Sequence, residues 1–256
     1  MTGTALETTP LKDIVLRDFR AGAVLERYQL DYCCGGGLTL GEACRQRGVH
    51  VAQVIAELEA LNPSSRETPT DAPIALIAHI VDRHHAYVRE SLPTIQQHLA
   101  KVVAVHGTHH SELASIEAEF SRLATELSQH LIKEERVLFP YISSLEQAVH
   151  HGGPYPPDMF GTVQNPIRMM EIEHQEAGDG MAIIRRLSHD YEVPADACTT
   201  YRLLYDELGA FERDLHTHVH LENNVLFPAA IELEEKAELM ARELKSQQWE
   251  RHASNR

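Results

Sequence analysis

Apolar residues recur every three or four positions along almost the whole chain, the spacing of amphipathic helices. No run of alternating β-branched residues rises above this pattern. In the larger, second part of the chain the periodicity predicts four long helices, over residues 73–100, 112–149, 164–188 and 196–245. The segments between them carry the Gly, Pro and Asp residues expected of connections. We therefore predict an all-α protein whose main part is an antiparallel up-down four-helix bundle.

The first sixty residues predict a smaller helical unit. Apolar spacing and a capping-box pair indicate three helices, over residues 11–28, from Thr39 with Glu42 through residue 47, and over residues 51–61. A Pro-, Ser- and Thr-rich stretch follows, as is typical of a linker. The predicted organisation is a helical N-terminal module at residues 1–62, a linker at 63–73, and the bundle at 74–256 with a charged C-terminal extension from residue 229.

One motif occurs twice in the bundle sequence. HLIKEERVLFP begins at His130 and HVHLENNVLFP begins at His218, and four residues after each histidine stands a glutamate, Glu134 or Glu222. Residues four apart on a helix lie one above the other, so each copy presents an imidazole and a carboxylate on one stripe. Both copies end in Leu-Phe-Pro, and we expect the proline to kink or end each helix.

The duplication extends to the preceding helices. His85 lies 45 residues before His130, and His174 lies 44 residues before His218. Each helical hairpin thus supplies one histidine from its first helix and a His-x3-Glu pair from its second. We predict that these four histidines and the two repeat glutamates converge at one level of the bundle. His84 is the alternative to His85, and position in the repeat favours His85.

The donor set indicates the metal. Six ligands are too many for one zinc ion, which is normally four-coordinate. Imidazole together with carboxylate suits iron, and two glutamates are able to bridge a pair of ions. We therefore predict a centre of two Fe ions with an oxo or hydroxo bridge. Its excess of histidine departs from the Glu-x-x-His arrangement of the carboxylate-rich di-iron bundles.

Other polar residues flank the predicted ligands. Glu126 and Asp214 lie one turn before the two repeat histidines, and we expect them to orient imidazoles or to relay protons or iron. Glu173, beside the lone histidine of the third bundle helix, is a weaker candidate for the same role. His216 and His220 lie two residues either side of the second repeat histidine, so they are expected to point away from the site as solvated or capping residues.

Cys33 and Cys34 precede three glycines in DYCCGGG, a sequence that predicts an exposed tight turn. The backbone N–H groups of such a turn are expected to stabilise a thiolate, the reactive form of cysteine. We interpret the two cysteines as a candidate thiol pair for redox or metal transfer, the alternative being two ordinary thiols. Cys44 and Cys198 lack this context and are expected to be packed or inert.

Charge and composition limit the classes of partner that we expect the protein to bind. Lys and Arg number 23 against 38 Asp and Glu, and the net charge of −15 disfavours nucleic acid and anionic membranes. No apolar run approaches the ~20 residues of a membrane span, and the first residues do not form a secretory signal. We expect a cytoplasmic monomer or homodimer that binds neither nucleic acid nor membrane.

Five motifs stand out along the chain: DYCCGGG at 31–37, HLIKEERVLFP at 130–140, EIEHQEAG at 171–178, ACTT at 197–200 and LENNVLFP at 221–228. Together they resemble the family of iron-sulfur cluster repair di-iron proteins (repair of iron centres), in which a cysteine module precedes a hemerythrin-like domain. The resemblance implies terminal iron ligands and two bridging glutamates, namely His85, His130, His174 and His218 with Glu134 and Glu222. It also implies that the partners are iron-sulfur proteins damaged by nitric oxide or peroxide, and that the cysteine module is a contact or transfer element.

Two other functions are compatible with the same ligands. A hemerythrin-like protein would bind or sense O2 or NO and would keep its iron tightly held. A di-iron oxidoreductase would reduce nitric oxide, with Cys33 and Cys34 as the entry point for electrons or NO. The cysteine module distinguishes these hypotheses, because a pure O2 carrier has no need of it.

Overall fold

The computed structural model describes residues 3–61, 72–152, 156 and 160–254. These residues are largely helical and form no strand, apart from a single bridge between Pro10 and Thr39. The predicted all-α class is confirmed. The predicted linker at 63–73 lies mostly outside the described residues, which resume at residue 72.

The described part of the N-terminal module contains five short helices. They are α1 Gly3–Glu7, α2 Leu11–Arg17, α3 Arg20–Arg27, α4 Leu40–Arg47 and α5 Val51–Glu59. The capping box that begins α4 is present, with Glu42 N–H donating to Thr39 Oγ1 at 3.3 Å and Thr39 N–H donating to Glu42 Oε2 at 3.0 Å. Leu11, Leu25, Leu40 and Val54 are fully buried and give the module a core of its own.

The single helix predicted for residues 11–28 is interrupted. Asp18 has extended backbone angles and ends α2. Its carboxylate then accepts hydrogen bonds from Arg20, from the backbone N–H at 3.2 Å and from Nε at 2.9 Å. Aspartate competes for backbone N–H groups in this way at helix starts, so it divides the predicted helix into two.

The described part of the bundle has four long helical runs. The first joins α6 Pro73–His79 to α7 Ala86–His106, the second joins α8 Glu112–Lys133 to α9 Phe139–His151, the third is α10 Gln164–Leu187, and the fourth joins α11 Thr199–Leu221 to α12 Phe227–Ser254. Neighbouring runs pack along one another, α7 with α8 and α11, and α8 with α10. No helix in the described part of the chain is both long and apolar enough to cross a membrane.

Three of these runs contain a π-helical turn at the same level. The turns are Ile80–His85, Glu134–Leu138 and Glu222–Leu226. As expected for the repeat prolines, the regular α-helix does not run through Pro140 and Pro228: each lies in the first turn of a new α-helix that directly follows a π turn. A proline has no N–H to donate to the preceding turn, and the widened π turn accommodates that loss.

The bundle core is divided into two apolar clusters. One contains Leu127, Leu131 and Val219, and the other contains Leu138 and Leu226. Between them the inward-facing side chains of the helical runs are buried and polar, and they include His130, Glu134, His218 and Glu222. The core is therefore interrupted by one polar layer.

The module is docked onto the bundle. His220 Nδ1 donates to Tyr32 O at 3.3 Å, and Asn224 Nδ2 donates to Cys33 O at 3.4 Å. Phe19 packs edge-on against the His220 ring, with centroids 6.0 Å apart. The cysteine turn therefore contacts the helical run that carries the second repeat.

Candidate metal centre

The polar layer contains the six residues that the repeat singled out, and all six are buried. The structure groups them into two sets of four, each with donor atoms within 4.8 Å of one another. One set contains His85 and His218, the other contains His130 and His174, and both contain Glu134 and Glu222. Each histidine pair thus joins the two hairpins.

Each glutamate directs one oxygen towards each histidine pair. Glu134 Oε2 lies 3.3 Å from His85 Nε2, and its Oε1 lies 3.2 Å from His130 Nε2. Glu222 Oε1 lies 3.0 Å from His218 Nε2, and its Oε2 lies 3.1 Å from His174 Nε2. A carboxylate placed in this way is able to bridge two ions.

The buried carboxylate atoms indicate that cations belong here. Both oxygens of Glu134 and Oε2 of Glu222 are buried, and within the described part of the chain none of them accepts a hydrogen bond of good geometry. An ionised carboxylate in a protein core is costly unless a positive charge compensates it. Within each histidine pair the two Nε2 atoms face each other, at 3.1 Å for His85 with His218 and at 3.0 Å for His130 with His174. The residues present therefore fit two metal ions, each with two imidazole nitrogens and two carboxylate oxygens.

Without a metal, protons supply the compensating charge. Burial opposes protonation of His85 and His130, but the two glutamates outweigh it and raise the pKa of each imidazole to about 10. Burial likewise opposes ionisation of Glu134, yet the neighbouring histidines lower its pKa. The layer is thus arranged to hold carboxylates charged beside a cation.

Three of the four imidazoles are also held through their second nitrogen. The contacts are His85 Nδ1 to Glu135 Oε1 at 2.6 Å, His130 Nδ1 to Glu173 Oε2 at 2.9 Å, and His174 Nδ1 to Asn223 Oδ1 at 2.8 Å. Arg89 pairs with Glu135 and Lys133 pairs with Glu173 at the surface. The hydrogen bond from His130 is the main reason that the pKa of Glu173 is lowered to about 2. Such contacts orient a ligand imidazole and set its tautomer.

The fourth imidazole has different surroundings. His218 Nδ1 is buried and has no hydrogen-bond partner among the residues that the structure describes. The His84 ring lies parallel to it, with centroids 5.7 Å apart, and His84 Nδ1 contacts Asp214 Oδ1 at 3.0 Å. His84 therefore belongs to neither donor set, and Asp214 touches a neighbour of the site and none of the six donors.

The predicted role of Glu126 is corrected. Its carboxylate pairs with Arg122 on the surface of α8, and its side chain is 46% exposed. The His130 ring directs Nε2 into the bundle, and a side chain one turn earlier on the same helix does not reach its Nδ1 atom. The residue that takes this position against His130 is Glu173, which comes from the neighbouring helix.

Two residues that contact ligand histidines were not predicted, although they occupy matching positions in the repeat. Glu135 and Asn223 each directly follow a repeat glutamate. Each holds the lone histidine of its own hairpin. The Phe of each Leu-Phe-Pro segment is matched in the same way, since Phe139 stacks on His85 at 5.6 Å and Phe227 on the other lone histidine at 6.0 Å.

The two histidines beside the second repeat histidine lie off the centre, but one is not solvated. His220 is 1% exposed and forms part of the contact with the N-terminal module. Burial lowers its pKa to about 4, so it is neutral in the fold. His216 lies near Glu26 of the module, with Nδ1 to Oε1 at 3.5 Å.

The cysteine turn differs from its prediction. The N–H groups of Cys33, Cys34 and Gly35 donate to the Asp31 carboxylate at 2.9, 3.1 and 2.8 Å, so they are not free to stabilise a thiolate. Cys33 is buried, and its contacts with Cys34, its burial and the Asp31 charge raise its pKa. At Gly36 an added Cβ would lie 2.3 Å from Tyr32 O, which explains the glycine.

The other two cysteines differ from each other in burial and in pKa. Cys44 is buried in the module, and burial raises its pKa, in agreement with a packed residue. Cys198 is exposed and precedes α11, and the His106 side chain and the first N–H groups of that helix lower its pKa to about 7. Cys198 is therefore not packed, and its lowered pKa favours a reactive thiol over an inert one.

The fold and the donor sets define a hemerythrin-like, cation-binding helical bundle. Residues 76–230 match the family model for the hemerythrin HHE cation binding domain, and residues 7–62 match ScdA_N, described as a domain of unknown function.

Relatives extend over most of the chain. A probable iron-sulfur cluster repair protein of Haemophilus influenzae is 36% identical over 216 residues, which cover 82% of this chain and 91% of that protein. Iron-sulfur cluster repair protein YtfE of Escherichia coli O157:H7 is 36% identical over 229 residues, covering 89% and 98%. The protein of that name from Musicola paradisiaca is 37% identical over 215 residues, covering 83% and 91%. The chain belongs to the family of iron-sulfur cluster repair proteins, and the predicted resemblance is confirmed.

Proposed function

We propose that this chain is a di-iron protein that repairs iron-sulfur clusters damaged by nitrosative or oxidative stress. The observation that carries the proposal is the pair of histidine sets that share both buried glutamates. Relatives named as cluster repair proteins support the same role. The partners are damaged iron-sulfur proteins, with NO or O2 as small ligands.

The donor chemistry favours iron in both positions. Imidazole and carboxylate together suit iron, whereas an all-oxygen set would suit Mg²⁺ or Ca²⁺ and a thiolate set Zn²⁺ or an iron-sulfur cluster. Four side-chain donors leave further coordination positions open at each ion. When bound, the iron pair would supply electron transfer, binding of a small ligand, and a store of iron for donation.

The residues around the site perform three tasks. Apolar clusters on both sides of the layer exclude bulk water. Glu135, Glu173 and Asn223 orient three imidazoles through Nδ1. His218 lacks such a partner, so the His85–His218 position is held less firmly than the His130–His174 position. We expect the two positions to differ in metal affinity, as a protein that both keeps and gives up iron requires.

The test uses a [4Fe-4S] enzyme inactivated by NO. The iron-loaded protein is added, and recovery of cluster absorbance, loss of iron from the protein and N2O release are followed together. We expect clusters to recover while this protein loses iron. His130→Ala should abolish recovery. His98 pairs with Glu207 away from the site, so the control variant His98→Ala should leave recovery unchanged.

Each other outcome has a clear meaning. Catalytic N2O release with retained iron would favour the di-iron NO reductase. Reversible ligand binding with neither recovery nor N2O would favour an O2 or NO sensor. Full recovery by His130→Ala would refute the assignment of this site to repair.

A further inference from the structure

A cleft of about 730 Å³ lies beside the cysteine turn and is lined by both the module and the bundle. Its module side includes Cys33, Cys34 and Arg47, and its bundle side includes Asp179, Arg186 and Glu192. Clefts of roughly 300–1,000 Å³ are the size that holds small organic ligands. It lies apart from the metal centre, because none of the six donor residues lines it.

The two thiols of the turn are unequal towards this cleft. Cys33 is 8% exposed, and its Sγ donates to Asp31 Oδ1 at 3.0 Å. It also packs into the bundle core. Cys34 is only partly buried and lines the cleft beside it. Cys34 is therefore the thiol that a dissolved molecule in the cleft reaches.

The arginines of the cleft are not equally engaged. Arg185 donates to the buried Glu212 carboxylate, at 3.0 Å from Nε to Oε2. Arg47 and Arg186 are exposed and form no ion pair with any other residue that the structure describes. An arginine with a free planar fork is well suited to a carboxylate. Two such side chains thus border the same cavity as an accessible thiol.

The cleft also has acidic groups that would face an ammonium group. Among the described residues, Asp179 accepts a hydrogen bond only from Gln175 Nε2, at 3.0 Å, and Glu192 lines the same wall. The other acids are already engaged, Glu26 by Tyr32 Oη at 3.0 Å and Asp190 by Gln29 Nε2 at 2.7 Å. The cleft therefore presents both positive and negative side chains that are available to a ligand.

We propose that this cleft binds the disulfide of a small zwitterionic peptide thiol, and that Cys34 undergoes thiol–disulfide exchange with it. Arg47 and Arg186 bind the ligand carboxylates, and the acidic wall binds its ammonium group. The Cys34 thiolate attacks one sulfur of the ligand disulfide, so that bond breaks as the Cys34 mixed disulfide forms. The released thiolate takes up a proton in place of the one lost by Cys34, and one disulfide replaces another without an outside oxidant. The exchange needs no metal and goes beyond cluster repair.

The test compares two disulfides on the full chain in a Cys198→Ser background, which removes the other accessible thiol. Oxidised glutathione is the zwitterionic probe, and bis(2-hydroxyethyl) disulfide is the uncharged one. Adducts are timed by intact mass and located by peptide mapping. We expect the adduct on Cys34, with a rate that saturates in glutathione disulfide but rises linearly with the uncharged disulfide.

Variants separate recognition from reactivity. Arg47→Ala with Arg186→Ala should lower the efficiency with glutathione disulfide by about tenfold or more, the effect of losing charge-assisted contacts worth about 1.4 kcal/mol, and leave the uncharged disulfide unaffected. Arg45→Ala with Arg202→Ala is the matched control, because both are exposed arginines outside the cleft. The rate with the uncharged disulfide also shows that each variant is folded around Cys34.

Three results would overturn the proposal. They are a linear dependence on glutathione disulfide, an equal effect of the cleft arginines on both disulfides, or an adduct on Cys33. Cys34→Ser should abolish the adduct, and Cys33→Ser should retain it.

Discussion

The residue after each repeat glutamate braces a ligand histidine. Glu135 and Asn223 occupy matched positions, and each accepts from the Nδ1 of the lone histidine in its own hairpin. The glutamate faces the metal position and the next residue faces the imidazole, which is possible because a π turn begins at each glutamate. Two adjacent residues thus serve one site from two directions.

Glu135→Ala and Asn223→Ala should each lower metal affinity about 10- to 100-fold, the usual effect of losing the group that orients a ligand histidine. The measurement is titration with Fe²⁺ against a competing chelator. Glu126→Ala is the control and should leave affinity unchanged, because that carboxylate pairs with Arg122. Equal losses in all three variants would contradict the assignment.

Cys198 should be the most reactive of the thiols near neutral pH. The thiolate is the nucleophile, and a pKa of about 7 makes its alkylation rate half-maximal near pH 7, with the rate rising as pH rises. Iodoacetamide labelling from pH 5 to 10 with peptide mapping measures this. His106→Ala should move the midpoint to higher pH, and Cys44 should stay protected while the module is folded. A midpoint near the ordinary cysteine value of about 8.5 would refute the prediction.

The elements most closely tied to the site are the three π turns. Phe139 N–H donates to Glu134 O and Phe227 N–H donates to Glu222 O, five residues back in each case. A π turn inserts one residue into the helix and changes the direction of the side chains beside it, and such turns occur frequently at functional sites. The proline that follows each turn cannot donate the hydrogen bond that would restore an α-helical register.

Pro228→Ala should weaken metal binding without unfolding the bundle. The new N–H group is able to bond to Asn224 O, which favours an α turn and a different direction for Glu222. Fe²⁺ titration and thermal unfolding measure the two effects. Pro93→Ala is the matched control, because Pro93 is exposed inside α7 and its replacement should raise stability, by up to about 3 kcal/mol, with unchanged metal affinity. Unchanged affinity in Pro228→Ala would mean that packing alone holds the π turn.

Across the whole molecule, the module and the bundle meet at the helical run that carries the second repeat. His220 and Asn224 contact the backbone of the cysteine turn. His220 lies two positions before Glu222, and Asn224 lies two positions after it. The segment that carries Glu222 therefore also holds the cysteine turn in position.

His220→Ala with Asn224→Ala should release the turn. Cys33 is buried by this docking, so its labelling with N-ethylmaleimide should rise by at least about tenfold. Cys44 is the internal control, because it lies in the module's own core and stays protected if the module remains folded. Metal content should be retained. Unchanged protection of Cys33 would show that other contacts hold the module.

Periodicity and repetition in the sequence were sufficient for the helical class, the capping box at Thr39 and the choice of six candidate ligands. These features depend on neighbours within one helix, where residues three or four apart share a face whatever the rest of the chain does. The same logic failed for Glu126, because spacing along a helix says nothing about which side chain of an adjacent helix is closer to an imidazole.

Contacts between elements were decided only by the tertiary structure. Glu173 reaches His130 across a helix interface, and Asp31 takes the N–H groups that the cysteine turn was expected to offer a thiolate. Cys198 gains its low pKa from His106, 92 residues earlier in the chain. Local propensity determines which faces of a chain are apolar, but the pairing of polar groups depends on how helices rotate and dock. That rotation follows from packing the whole core, which no single stretch of sequence specifies.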